Sequence, residues 1–194
     1  MAERVPVGIL ISGRGSNMAS LIEASRAPVC PYAIVLVASN NPEAPGLDFA
    51  RAAGIATFAH PHKGMKRAEF DALIDAQLRQ AGVQLIALAG YMRILSAEFI
   101  TGWEGRILNI HPSLLPLYKG LDTHARAIAA GDAEAGCSVH IVTPELDDGP
   151  VVAQARVPIL SGDTPDSLAG RVLVEEHRIY PAALAEISRR FLPA

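Results

Sequence analysis

The chain has 194 residues, of which 50% are hydrophobic and 19% are charged, so it is long enough to bury a sizeable core. Its formal net charge of -3 excludes the global positive field that nucleic-acid binding requires. The apolar run at 7–11 is too short to span a membrane, and Cys30 and Cys137 form neither a metal-binding spacing nor a disulfide framework. We therefore expect a soluble cytoplasmic protein, a single domain over 1–194, that binds neither nucleic acid nor membrane.

Strands and helices alternate through most of the chain, because short apolar runs end at glycines or turn residues and are followed by helical spacing. The predicted strands are 5–11, 33–38, 55–58, 85–89, 107–110, 138–142 and 151–157. The predicted helices are one that starts with Ser16 or Asn17 as its cap, then 47–53, 66–81, 123–130 and 164–192. This order predicts an α/β fold with a doubly wound, mostly parallel sheet and an antiparallel portion near the C-terminus.

A glycine-rich turn at 13–18 lies between the first predicted strand and the first predicted helix. Ligands of open α/β sheets bind beyond the carboxyl ends of the strands, and the N–H groups of a helix N-terminus attract phosphate. Met18 stands where a dinucleotide-binding motif needs its third glycine, so the turn does not match that motif. It indicates an anion site, although a tight turn without any ligand explains the same residues equally well.

Asn109 and His111 fall at the end of the predicted strand 107–110 and are followed by Pro112 and Pro116. Side chains alternate along an extended chain, so the amide and the imidazole point to the same side. The prolines stiffen the loop that follows. A lone histidine is more often structural, but this bracketed pair favours a functional interpretation.

Asp147 lies in an acidic turn, which the backbone preferences of Asp and Gly explain by themselves. If its carboxylate faces His111, it would favour the imidazolium form and raise the pKa of that histidine. His60 and His62 lack further clustered ligands, so we expect a plain loop there and no metal. Two more histidines either line a pocket or serve only the fold: His124 and His140.

Four segments together resemble the phosphoribosylglycinamide formyltransferase family of folate-dependent enzymes, and the resemblance runs essentially from end to end. These segments are 11–17, 89–95, 109–116 and 145–150. The Asn-x-His and Asp elements also occur in methionyl-tRNA formyltransferase and in formyltetrahydrofolate deformylase. The turn at 15–17, the segment 119–124 and the short length favour the first family, so we expect neither a tRNA-binding nor a regulatory domain.

The resemblance implies a formyltransferase-like fold whose N-terminal half binds phosphate and whose C-terminal half binds folate. It implies a catalytic trio of Asn109, His111 and Asp147, and a cis Leu115–Pro116 bond. The substrate-binding residues that it implies are Gly15, Ser16, Asn17 and Glu176. The residues that it implies for the co-substrate 10-formyltetrahydrofolate are Arg67, Met92, Arg93, Ile94, Leu95, Asn109, Thr143, Pro144, Glu145, Leu146 and Asp147.

The implied activity moves the formyl group of 10-formyltetrahydrofolate to the amine of glycinamide ribonucleotide, N1-(5-phospho-D-ribosyl)glycinamide, in de novo purine biosynthesis. Asn109 and His111 would stabilise a tetrahedral oxyanion, while Asp147 would keep His111 cationic. Two alternatives stay open: a deformylase, in which water replaces the amine, and a catalytically silent nucleotide-binding module. The partners would be these small molecules, and we expect a monomer or a homodimer.

Overall fold

The structure, a computed structural model, describes residues 3–193. Its strands are β1 (Val5–Ile11), β2 (Tyr32–Ser39), β3 (Ala56–Ala59), β4 (Leu85–Leu88), β5 (Ile107–His111), β6 (Glu134–Ile141) and β7 (Val151–Pro158). Its helices are α1 (Ser16–Ser25), α2 (Gly46–Ala52), α3 (Arg67–Gln80), α4 (Ala97–Gly102), α5 (Thr123–Ala130) and α6 (Pro165–Arg189).

The strands form a seven-stranded sheet in the order β3-β2-β1-β4-β5-β6-β7. Pairing is parallel from β3 to β5, and antiparallel where β6 meets β5 and β7. Parallel neighbours need crossover connections, and the intervening helices provide them on both faces of the sheet. The predicted doubly wound, mostly parallel sheet with an antiparallel C-terminal portion is confirmed.

Each face of the sheet packs against its own hydrophobic cluster. One cluster includes Met18 and Leu21 of α1 and Tyr180 and Leu184 of α6. The other lies under α3 and α4 and contains fully buried Phe70, Ile74 and Trp103. Over residues 3–193, no helix is both long and apolar enough to cross a membrane.

Two predicted starts are wrong and one helix was not predicted, each for a physical reason. Gly15, in the left-handed conformation at φ 71°, is the N-cap of α1, so neither Ser16 nor Asn17 caps it. The six-residue helix α4 is too short to show a helical period, although Ser96 caps it by accepting from the Phe99 N–H. β6 starts at Glu134 rather than at Ser138, because its first half continues to pair with β7.

The carboxyl ends of β1, β4 and β5 meet at one edge of the sheet, called the carboxyl edge below, because these neighbours run parallel. The turn 12–17 follows β1, and the segment 90–96 follows β4. β1 and β5 are two strand spacings apart, which is roughly 10 Å. The glycine-rich turn, the 90–96 segment and the end of β5 therefore face one common region.

Candidate active site

Asn109 and His140 lie directly opposite each other in the antiparallel pair of β5 and β6. Asn109 Nδ2 is 3.2 Å from His140 Nε2, and His140 Nδ1 is 3.1 Å from the carbonyl oxygen of Ile141. His140 is buried, whereas Asn109 is half-buried. An amide nitrogen carries two N–H donors, so this contact leaves Asn109 a second donor for another molecule.

His111 closes β5 and is buried, with both ring nitrogens near an acceptor. Nδ1 is 3.4 Å from Asp147 Oδ2, and Nε2 is 3.0 Å from the carbonyl oxygen of Tyr118. Each ring nitrogen therefore lies beside an oxygen that can accept a hydrogen bond. The structure thus brings His111 and Asp147 together, an arrangement that the resemblance implied and that the sequence pattern alone left open.

Asp147 lies between two histidines. Its Oδ1 is 3.6 Å from His140 Nε2, and its Oδ2 accepts a 3.0 Å hydrogen bond from the Gly120 N–H. Burial alone would raise the pKa of Asp147, but the nearby His140 ring, the hydrogen bond from the Gly120 N–H and the charge of His111 outweigh burial and lower that pKa. The carboxylate is therefore ionised across the neutral range.

The turn that carries Asp147 packs its backbone closely against the backbone at the end of β6. A Cβ on Gly149 would lie 1.7 Å from the Ile141 carbonyl oxygen, so only glycine lets this turn pack against the end of β6. On its other side, Lys119 forms an ion pair with Asp148. Asp147 itself has φ 50°, which Asp tolerates better than most residues. These contacts aim the Asp147 carboxylate inward and leave Asp148 exposed.

The predicted anion turn ends in an open helix N-terminus. The first backbone hydrogen bond of α1 runs from the Ala19 N–H to the Gly15 carbonyl, and no side chain caps the helix. The N–H groups of Ser16 and Asn17 therefore have no acceptor within the helix. Gly46 packs under this turn: its N–H donates to the Gly13 carbonyl, and a Cβ there would lie 3.0 Å from the same oxygen.

Glu176, on α6, lies beside the same turn. Asn17 Nδ2 donates a 2.7 Å hydrogen bond to Glu176 Oε2, while Asn17 Oδ1 is buried without a partner. Burial raises the pKa of Glu176, and the hydrogen bond from Asn17 opposes that rise only in part. The residues predicted to bind substrate, Gly15 to Asn17 and Glu176, are therefore neighbours.

The segment 92–95 crosses the carboxyl edge without regular secondary structure. Met92 and Ile94 are exposed large apolar side chains, while Leu95 is buried in the core. The Arg93 guanidinium lies 4.8 Å from the ring centre of Phe70, and its Nε is buried without a partner. Arg67 is exposed one helical turn before Phe70. This arrangement presents apolar surface beside cationic groups.

The predicted segment 143–146 runs from the end of β6 to Asp147. Thr143 Oγ1 donates to the carbonyl oxygen of Glu145, and Pro144, Glu145 and Leu146 are exposed. Leu146 reaches across to Gly120, where a Cβ would lie 4.0 Å from its Cδ2. This segment thus leads from β6 to Asp147, the carboxylate that lies beside His111 and His140.

The remaining histidines have different surroundings. His62 Nδ1 lies 2.7 Å from Asn40 Nδ2, and His60 and His62 both face the ring of Phe70. Among residues 3–193, no group of three His, Cys, Asp or Glu side chains could hold a metal ion. Burial and the nearby charge of His111 lower the pKa of His124. The Leu115–Pro116 bond is cis, as the resemblance implied.

Sequence reasoning left His140 undecided and assigned no functional role to Ser12 or Gly149. The signal for His140 is its pairing with Asn109, which only the register of β5 against β6 defines. The signal for Gly149 is its place after Asp147-Asp148 in a turn, which the sequence did contain.

Comparisons with known proteins identify the family of this chain. Residues 6–184 match the family described as formyl transferase. Phosphoribosylglycinamide formyltransferase of Escherichia coli (strain K12) is 44% identical over 178 residues, covering 91% of this chain and 84% of that protein. The crystal structure of phosphoribosylglycinamide formyltransferase from Brucella melitensis is 53% identical, with a TM-score of 0.92 over 96% of each chain.

Fold, carboxyl edge and matches together define an enzyme of the formyl transferase family, to which this chain belongs. Within that family, its 44% and 53% identical relatives are phosphoribosylglycinamide formyltransferases. A longer relative, the trifunctional purine biosynthetic protein adenosine-3 of Gallus gallus, is 47% identical over 182 residues. These 182 aligned residues cover 93% of this chain, but the chain spans only 18% of that protein's length.

Proposed function

We propose that this chain transfers the formyl group of 10-formyltetrahydrofolate to the primary amine of N1-(5-phospho-D-ribosyl)glycinamide in purine biosynthesis. The observation that carries the proposal is the position of Asp147, 3.4 Å from His111 and 3.6 Å from His140, with Asn109 3.2 Å from His140. Acyl transfer through an oxyanion needs such preorganised donors held by a charged partner. The names of the E. coli and Brucella relatives support the choice of substrate.

The reaction begins when the neutral amine nitrogen attacks the formyl carbon. A C–N bond forms, and the carbonyl electron pair moves onto oxygen to give a tetrahedral oxyanion. Collapse re-forms the C=O bond and breaks the bond to the folate nitrogen, while a proton passes from the attacking amine to that nitrogen. The products are the formylated amine and tetrahydrofolate. The charge that the protein must stabilise is therefore on the former formyl oxygen.

Asn109 and His111 supply the donors for that oxygen in this proposal. Asn109 keeps one N–H on His140 and directs the other to the oxyanion. In the structure, His111 Nε2 lies beside the Tyr118 carbonyl oxygen. In this proposal the substrate displaces that carbonyl and takes its place at Nε2. Asp147 orients the ring through Nδ1 and stabilises its cationic form. The same ring then relays the proton from amine to folate nitrogen.

The open N-terminus of α1 suits the phosphate of the amine substrate. The N–H groups of Ser16 and Asn17, together with the helix dipole, attract an anion there. Glu176 lies beside Asn17 and accepts hydrogen bonds from ribose or glycinamide groups in this proposal. β1 and β5 are two strand spacings apart, roughly 10 Å, so a phosphate at this turn and an amine beside β5 can belong to one molecule.

The donor site is proposed along 92–95 and 143–147. Exposed Met92, Ile94 and Leu146 offer apolar contact for the folate ring, and Arg67 offers positive charge for folate carboxylates. That the chain is one domain, 1–194, belongs to the same proposal, but the expected division into two halves does not, because Arg67 lies in the N-terminal half and Glu176 in the C-terminal half. Monomer or homodimer, cytoplasmic location and the expected lack of a metal stay predictions.

The test is an absorbance assay of 10-formyltetrahydrofolate consumption with and without phosphoribosylglycinamide, in which formate and formylated product are quantified separately. We expect consumption only with the amine present, and one formylated product per folate released. Formate release at the same rate without the amine would show a deformylase instead. Binding of both ligands without turnover would show a silent module.

A second arm uses the same amine without its phosphate. If the N-terminus of α1 binds phosphate, this substrate should have kcat/KM at least about 100-fold lower, which corresponds to two or more lost charge-assisted hydrogen bonds. Equal kcat/KM for both amines would rule out this phosphate site while leaving formyl transfer itself intact.

A further inference from the structure

Ser12 occupies a junction between the two proposed substrate sites. It is the first residue after β1 and directly precedes the turn at 13–17. Its N–H donates a 3.1 Å hydrogen bond to the carbonyl oxygen of Gly90, at the start of the segment after β4. The backbone of Ser12 therefore joins the phosphate side of the carboxyl edge to the folate side.

The Ser12 hydroxyl makes a second connection. The Met92 N–H donates a 2.8 Å hydrogen bond to Ser12 Oγ, and the hydroxyl donates a 2.7 Å hydrogen bond to Asn40 Oδ1. A hydroxyl has one O–H donor and can also accept. The Ser12 O–H points to Asn40, so a lone pair of the same oxygen is left to accept from the Met92 N–H. Loss of either partner would loosen the orientation of the other.

Asn40 is itself held in place. It is 4% exposed, and its Nδ2 lies 2.7 Å from His62 Nδ1. The connection thus runs from β4 through Ser12 to the end of β2. The far end of the same segment is tied independently, because the Ser96 N–H donates a 2.6 Å hydrogen bond to Asp71 Oδ2. Between these two ties, residues 93–95 belong to no strand or helix.

We infer that Ser12 is a positioning residue for the formyl donor: its hydroxyl fixes the position of the 92–95 segment relative to the carboxyl edge. This inference rests on the proposed function, which assigns that segment to the folate. The exposed side chains Met92 and Ile94 follow the backbone that Ser12 holds. Loss of the hydroxyl should therefore weaken folate binding and leave binding of the amine substrate nearly unchanged.

A purely structural role predicts something different. It would lower the thermal stability of Ser12→Ala and reduce both substrate affinities together, or neither. The positioning role predicts a split: KM for the folate rises about tenfold, and KM for the amine changes less than about twofold. A tenfold change is of the size expected for the loss of one hydrogen bond.

The experiment compares wild type, Ser12→Ala and Ser12→Thr by steady-state kinetics with each substrate varied, by melting temperature, and by calorimetry with tetrahydrofolate alone. We expect Ser12→Ala to bind tetrahydrofolate about tenfold more weakly and Ser12→Thr, which keeps the hydroxyl, to stay within about threefold of wild type. Equal loss for both substrates, or unchanged tetrahydrofolate affinity in Ser12→Ala, would overturn the inference.

Two variants of Asn40 provide a second test in case Ser12→Ala does not fold. Asn40→Ala removes the acceptor of the Ser12 hydroxyl and should show the same split, whereas Asn40→Asp keeps an acceptor oxygen and should retain folate affinity. Equal folate affinity in both variants would contradict the inference. The calorimetric arm needs no turnover, so an inactive wild type that still binds tetrahydrofolate would refute the proposed function and not this role.

Discussion

Asn17 and Glu176 are 159 positions apart in sequence, and Asn17 Nδ2 donates a 2.7 Å hydrogen bond to Glu176 Oε2. This contact joins the first turn of α1 to the middle of α6. Glu176 is 7% exposed, so its carboxylate is largely removed from water. The contact places a group that resists ionisation next to a helix N-terminus that attracts anions, and it has consequences for both stability and binding.

Glu176→Gln should stabilise the protein at pH 7. The pKa of Glu176 is raised by burial, so its stabilising contribution is fully present below the ordinary Glu pKa and is lost as pH rises through the raised value. Gln does not titrate and can still accept from Asn17. The melting temperature of the variant should exceed that of wild type at pH 7, and the difference should shrink as the pH approaches 4.

The matched control is Glu175→Gln, because Glu175 pairs with Arg178 near the surface. Glu175→Gln should lower the free energy of unfolding by at most about 1 kcal/mol and should not raise the melting temperature at pH 7. A Glu176→Gln variant that is equally or less stable than wild type at pH 7 would contradict the burial argument.

Glu176→Gln should also raise KM for the amine substrate. A carboxylate accepts stronger hydrogen bonds from hydroxyl and amine donors than an amide oxygen does, and the difference is about tenfold in affinity. Steady-state kinetics with phosphoribosylglycinamide as the varied substrate measures this, and KM for the folate serves as the internal control. A rise confined to the folate KM would exclude Glu176 from the amine site.

Asp147→Asn should lower kcat by about 10²–10⁴-fold, because His111 loses the charged partner that orients it. Asp148→Asn is the control, since Asp148 is exposed and pairs only with Lys119. Rapid-mixing absorbance assays of both variants check this. A reversed order of effects would identify Asp148 as the functional carboxylate.

The lowered pKa of Asp147 also predicts how stability and activity depend on pH. The pKa of Asp147 is below its ordinary value, so its contribution to stability is present above the ordinary Asp pKa of about 3.9 and is lost as pH falls through the lowered value. Wild-type activity should therefore show no inflection from Asp147 between pH 5 and 8. Any acid limb in that window that persists in Asp147→Asn belongs to another group.

Asn109→Ala should lower kcat by about 10²–10³-fold, equivalent to roughly 2.7–4 kcal/mol, if Asn109 donates to the oxyanion. Asn109→Asp has the same size but no N–H donor, so it should be impaired to a similar degree. Both KM values should change little. If Asn109→Asp retains nearly full kcat, shape rather than hydrogen-bond donation is what residue 109 contributes.

Gly149→Ala should disrupt the turn that carries Asp147, because the added Cβ would lie 1.7 Å from the Ile141 carbonyl oxygen. We expect a loss of at least about tenfold in kcat/KM and a lower melting temperature. Gly170→Ala is the control: this helix glycine has no atom within 4 Å of an added Cβ, and the change should stabilise by about 0.5–1 kcal/mol. Equal activity in the two variants would contradict the argument.

Local patterns predicted much of this structure because they depend on neighbouring residues. The run at 5–11 reads as a strand whatever it pairs with, and residues 123–130 form the helix that the spacing predicts. Alternation along β5 placed Asn109 and His111 on one side, and the contacts of both with the Asp147–His140 pair agree with that. Helix α4 was missed because a short helix carries too little periodicity.

The sequence by itself determined the order of the strands and of the helices other than α4, and the spacing of Asn109 from His111, because backbone sterics and side-chain alternation act over a few residues. Only the tertiary structure decided that His140 faces Asn109, that Ser12 holds Met92 and that Asn17 meets Glu176. Those pairs join residues 31, 80 and 159 positions apart. Strand register and helix packing set them by burying the whole core at once, and no local pattern records that result.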